Sequence, residues 1–121
     1  MRHTPNSQYD GNPCLCVAVG TAYEQKHNKD FAIDLEDMTG QHSDGYMTLN
    51  DGNKFIRKHL NVEKRRDYKR GERPLLKDFL QSNEKQCIIC VYGHYLYADK
   101  QDYWSFFDNE YDEVVAVWYL K

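Results

Sequence analysis

With 121 residues and no internal repeat or low-complexity stretch, the chain has room for one hydrophobic core and needs no covalent staples, so a single domain over residues 1–121 is expected. A net charge of −3 argues against a nucleic-acid partner. No apolar run is long enough to cross a membrane and no basic segment leads into an apolar one, so a cytoplasmic protein without a membrane partner is expected, its four cysteines reduced rather than paired.

The first element is announced by Asn12-Pro13-Cys14. Asn12 suits the N-cap and Pro13 the first helical position, and Leu15, Val17, Ala18, Thr21 and Ala22 recur at helical spacing up to about Gln25. Gly20 costs this helix propensity but permits close approach. A polar, acidic stretch with Asp34, Glu36, Asp37, His42 and Asp44 follows and reads as a solvated loop, since no metal-loop spacing is met. Thr48 followed by Asp51 suggests the capped start of a helix with Phe55, Ile56, His59 and Leu60 on one face. Lys64-Arg65-Arg66 and Lys69-Arg70 form a basic run that reads as a charged loop between elements, and Arg73 to Leu80 opens a third, amphipathic helix.

From Gln86 to Leu120 the period changes to that of strands. Gln86 to Tyr92 is a continuous apolar, β-branched run, so Cys87 and Cys90, three apart, fall on opposite faces of a buried strand. Gly93 to Ala98 and Tyr103 to Phe107 read as a hairpin around Asp99-Lys100-Gln101-Asp102, and Val114 to Leu120 as a last strand. Helices first and strands afterwards argue for an α+β domain, with an N-terminal helix and further helices packed on a C-terminal antiparallel sheet.

Within that outline, Gln8, Cys14, His94 and Asp108 are the side-chain types, in order, that a thiol-based acyl-transfer site requires. A cysteine in a first helical turn has the helix dipole and unsatisfied backbone donors beside it, which favour the thiolate. Gln8 precedes it across a turn-rich stretch that can fold back and offer an amide donor to a developing oxyanion, together with the Cys14 backbone N–H. A hairpin turn centred near Gln101 places His94 opposite Asp108. His94 can then take the thiol proton or hold it as an ion pair, and Asp108 can orient the imidazole. One register step presents Phe107 or Asn109 instead, and Asp102, Asn109 and Glu110 remain alternatives for the third group.

These residues resemble the papain-like cysteine peptidases, whose pattern is a Gln six residues before a Cys at the start of a central helix, then a distant His opening a strand, then an Asn or Asp on the following strand. The likeness is to small bacterial and phage members and to the peptidase domain of bacteriocin exporters, and it runs over nearly the whole chain. It implies a papain-like fold and a thiol hydrolase without cofactor, acting on a protein or peptide: Cys14 as nucleophile, His94 as general base and then acid, Asp108 orienting it, Gln8 holding the oxyanion. Leu15 stands where an aromatic commonly follows the Cys, and the chain is short for a full papain fold, which leaves the substrate class open. Amidase, isopeptidase and acyltransferase chemistry use the same triad.

Three rival readings come from the residues. Cys14, Cys16, Cys87 and Cys90 could in principle bind zinc, but Cys87 and Cys90 sit in a strand-like run rather than a tight turn. The basic run with Tyr68 could contact phosphates and stack on a base, although Glu63, Asp67 and Glu72 interrupt it. The scaffold could also serve as a catalytically inactive binding or inhibitory module, with Tyr92, Tyr95, Tyr97, Tyr103 and Trp104 as its surface.

Overall fold

A computed structural model describes residues 1–9, 11, 14–27 and 49–121. The cap pair Asn12-Pro13, the acidic stretch 34–44 and the cap at Thr48 lie outside the described residues. The elements in chain order are β1 (Arg2–His3), a 3-10 turn (Ser7–Tyr9), α1 (Cys14–His27), α2 (Leu49–His59), β2 (Val62–Asp67), α3 (Leu76–Ser82), β3 (Gln86–Val91), β4 (His94–Asp99), β5 (Asp102–Trp104) and β6 (Val114–Leu120). No described helix is long and apolar enough to cross a membrane.

The fold is mixed α+β, and among the described residues three helices pack on a six-stranded sheet of order β1-β5-β4-β3-β6-β2. The pair β1–β5 is parallel and the others antiparallel, so the sheet is mixed rather than wholly antiparallel. Two strands come early in the chain and take the two edges, which corrects the reading of helices first and strands afterwards.

Strand alternation divides the core into two layers. Ile88 and Cys90 of β3, Tyr95 and Tyr97 of β4, and Ala116 and Trp118 of β6 pack under Leu15, Ala18 and Val19 of α1 and Phe55 and Ile56 of α2. On the other face Cys87, Ile89, Leu96, Ala98 and Val117 pack against Leu76, Phe79 and Leu80 of α3. The two strand cysteines thus face opposite ways, as their spacing requires, and the four thiols do not converge. Trp118, fully buried, satisfies its indole N–H on Asn53 Oδ1 at 2.9 Å and ties α2 to β6.

The basic run is a loop only in its second part, Lys69-Arg70. Residues 62–67 form the edge strand β2, paired with β6. Its cations lie over aromatic rings, Lys64 over Tyr119 at 5.2 Å, Arg65 over Trp118 at 5.1 Å and Arg66 over Tyr68 at 4.6 Å. Cation–π contact and aliphatic stems explain how so charged a segment joins a sheet, and charge on an edge discourages further strand pairing.

Candidate active site

Cys14 opens α1, and the apolar stripe Leu15, Ala18, Val19, Ala22 holds that helix onto β3 and β4. A second device braces it. Tyr9 is fully buried with its ring over Gly20, where an added Cβ would come within 2.8 Å of the ring, and its hydroxyl donates to Glu24 Oε1 at 2.6 Å. This pins the 3-10 turn, and with it the backbone of Gln8, alongside α1. The Gln8 amide itself lies outside the described side chains.

His94 opens β4, opposite Val91 of β3. Cys14 and His94 both line a cavity of about 400 Å³, together with Leu49, Arg73, Cys90 and Tyr95 among others. They also share the wall of a smaller recess of about 50 Å³ bounded by Trp104, Ser105 and Phe107. A strand irregularity shapes the larger cavity: Cys90 pairs with Ala116 and Val91 with Val114, so Val115 is the extra residue of a bulge and reaches the cavity wall.

The hairpin register differs from the one read in the sequence. Asp99 pairs with Asp102 and Tyr97 with Trp104, so the turn centres between Lys100 and Gln101, and continuing the register sets Phe107, not Asp108, across from His94. The Phe107 ring meets the imidazole edge-on, with centroids 5.8 Å apart. Pairing with β4 stops at Trp104, where Tyr103 to Phe107 reads as strand, and the backbone bends at Phe106 and Phe107. Asp108 is exposed; its carboxylate accepts from the Tyr103 hydroxyl at 3.4 Å and from the Glu110 N–H at 3.1 Å. It is not the hydrogen-bond partner of His94.

That partner is Ser105. His94 Nε2 lies 3.2 Å from Ser105 Oγ, which donates to Asn109 Oδ1 at 2.6 Å and accepts the Phe107 N–H at 3.1 Å. Asn109 in turn donates from Nδ2 to Asp112 Oδ2 at 2.7 Å, which fixes its Oδ1 toward the serine. The bookkeeping assigns the tautomer. A hydroxyl has one proton, and Ser105 commits it to Asn109, so His94 must be the donor in the remaining bond. The proton therefore sits on Nε2 and the lone pair on Nδ1. Asn109, one of the alternatives open in the sequence, belongs to this relay; Ser105 and Asp112 escaped sequence reasoning, and only their spacing of four and three residues from Asn109 hinted at them. Asp102 instead pairs with the N-terminal amine at 3.4 Å and His3 at 3.5 Å.

The N-terminal strand steadies the same segment. The His3 carbonyl accepts the Ser105 N–H at 3.1 Å, and Arg2 donates to the Phe106 carbonyl at 3.3 Å. The His3 ring stacks on Trp104 at 4.7 Å.

Electrostatics set the resting protonation. Burial pushes the Cys14 thiol above its ordinary 9.0, outweighing the backbone groups of Tyr95, Leu15 and Cys14 that favour the thiolate. Burial also lowers His94 from 6.5, against a smaller opposing pull from the Asp112 charge. At neutral pH the two groups rest as thiol and neutral imidazole rather than as an ion pair. Cys16 and Cys90 are pushed up by burial to about 11, and Cys87 higher still.

No family model, curated protein or solved structure matches this chain.

Proposed function

We propose that the chain is a small papain-like thiol hydrolase, a cysteine peptidase in its leading form, with Cys14 as nucleophile and His94 as general base. The observation that carries this reading is the shared cavity wall of Cys14 and His94, with the imidazole held through Nε2 so that Nδ1 keeps the lone pair. In the cycle, His94 Nδ1 takes the thiol proton as sulfur attacks the carbonyl carbon, the carbonyl electron pair moves to oxygen, and the tetrahedral intermediate expels its leaving group with the proton His94 holds. Water, activated by the same nitrogen, then releases the acyl group. The relay Ser105–Asn109–Asp112 does the orienting work assigned to Asp108 in the sequence reading, and the Asp112 charge favours the imidazolium as it forms. Gln8 remains the proposed side-chain oxyanion donor.

The test uses p-nitrophenyl acetate. A stoichiometric burst of p-nitrophenol with one acetyl group on Cys14 by mass spectrometry, absent from Cys14→Ala and strongly slowed in His94→Ala, is expected. A folded protein in which no acetyl group reaches Cys14 refutes the proposal.

One observation favours a second reading, a scaffold that binds without turnover. Tyr92 is 78 % exposed beside the larger cavity and Phe107 64 % beside the smaller, an aromatic rim that suits a partner surface as well as a substrate groove. Partner capture that survives Cys14→Ala, without acylation of the native chain, would select it.

A further inference from the structure

The larger cavity has apolar walls on most sides: Leu49, Val91 and Val115, with Cys90 and Tyr95 beside them. Among the described residues that line it, Arg73 is the one that carries a full charge at neutral pH, given the lowered His94. Its position is fixed by backbone. Pro74 accepts the Val114 N–H at 2.8 Å, Leu75 bridges to Glu113, and the Leu76 N–H donates to the Asp112 carbonyl at 2.9 Å. The loop carrying Arg73 is therefore laced to the start of β6, beside the bulge that brings Val115 to the cavity.

The guanidinium makes no ion pair among the described residues, and its Nε–H is buried with no acceptor among them. A buried Nε–H with no acceptor and no counter-charge among the described residues carries a desolvation cost that an incoming anion would relieve. The fork geometry of guanidinium matches a carboxylate in particular.

Resting on the hydrolase reading for its placement beside the nucleophile, we propose that this cavity is a substrate subsite selecting an aliphatic residue that bears a carboxylate, with Arg73 as the specificity-determining group. The apolar walls take the methylene body and Arg73 takes the charge. The carboxylate can come from an acidic side chain or from a free C-terminus, and the experiment separates the two.

The first arm uses NMR titration of the Cys14→Ala protein, which cannot turn over. Three ligands are compared: N-acetyl-glutamate methylamide, with a side-chain carboxylate only; N-acetyl-glutamine, with a terminal carboxylate only; and N-acetyl-glutamine methylamide, with neither. One of the two anions is expected to bind about 10- to 100-fold more tightly than the neutral ligand, and which one does so identifies the source. The preference should vanish in Arg73→Gln and survive in part in Arg73→Lys, which keeps the charge and loses the fork. The second arm compares p-nitrophenyl glutarate with p-nitrophenyl valerate on the native chain, where the ratio of kcat/KM should favour glutarate and fall to about one in Arg73→Gln. Equal binding of all three ligands, no binding of any, or a preference that Arg73→Gln leaves intact overturns the subsite. If the carboxylate preference holds in the first arm while neither ester acylates Cys14, the anion site stands and the hydrolase reading falls.

Discussion

The sharpest perturbation of the site is Ser105→Ala. It removes the acceptor of the His94 Nε2–H at 3.2 Å and of the Phe107 N–H at 3.1 Å, and the donor to Asn109 Oδ1 at 2.6 Å. The bonds from His94 and Phe107 contribute about 1 kcal/mol net each, and leaving the buried Asn109 carbonyl oxygen unpaired costs about 1–3 kcal/mol, so the variant should lose about 3–5 kcal/mol of folding stability in urea titration. The chemical effect is separate. Without Ser105 nothing holds the imidazole proton on Nε2, and losing about 1–2 kcal/mol of that bias slows Cys14 acylation about 5- to 30-fold. The assay is the p-nitrophenyl acetate burst rate, measured well below the denaturation midpoint, beside Ser105→Thr, which keeps a hydroxyl and should recover most of the rate. Asp108→Asn, whose carboxylate contacts only Tyr103 and the Glu110 amide among the hydrogen bonds above, should change the rate little. A folded Ser105→Ala protein that acylates at the native rate, or an Asp108→Asn protein that is slower than it, would refute the relay.

The pH dependence follows from neutral resting groups: the native alkylation rate of Cys14 should rise on an acidic limb below 6.5 and level off, whereas His94→Ala should show only a rise above 9.0, measured with iodoacetamide across the range. The same lowered imidazole makes stability pH-dependent. The unfolded chain binds that proton more tightly, so the His94 contribution is complete above 6.5 and is lost as pH falls through the window below it; urea midpoints should drop on acidification, and by less in His94→Gln. Gly20→Ala gains about 1 kcal/mol of helix propensity but drives a Cβ to within 2.8 Å of the Tyr9 ring, an overpacking cost of about 1–3 kcal/mol. A net loss of stability is expected in thermal unfolding, and Tyr9→Leu should reduce the penalty in the double variant.

What could be read from sequence was local. The helix read from Leu15, Val17, Ala18, Thr21 and Ala22, all five buried on α1, and the alternation that parts Cys87 from Cys90 depend only on the periods of helix and strand, and both stand in the fold. The hairpin register depends on something distant. Asn83, buried after α3, donates to the Lys100 carbonyl at 2.8 Å and accepts from Gln101 Nε2 at 2.7 Å through its own carbonyl, locking a two-residue turn in which Lys100 takes a φ of 56°. No pattern within 94–108 announces that lock, and a half-residue shift of the turn centre replaces Asp108 by Phe107 opposite the histidine. The basic strand was hidden for a similar reason, since its partners Trp118 and Tyr119 lie far along the chain.

The site is assembled from two pieces of chain with different claims on the fold. Everything that orients the imidazole, from His94 through Ser105 and Asn109 to Asp112, belongs to one short stretch, whereas the thiol arrives on α1. A sub-global opening that lifts α1 from the sheet would part sulfur from base and leave the relay whole. Cys16, on α1 itself, is buried in the core layer between that helix and its neighbours. Its thiol should report that opening, because it is shielded while α1 is docked, whereas Cys14 is partly exposed there. One alkylation time course followed at both thiols thus yields the free energy of helix undocking alongside the reactivity of the intact site, and separates a variant that loosens α1 from one that disables His94.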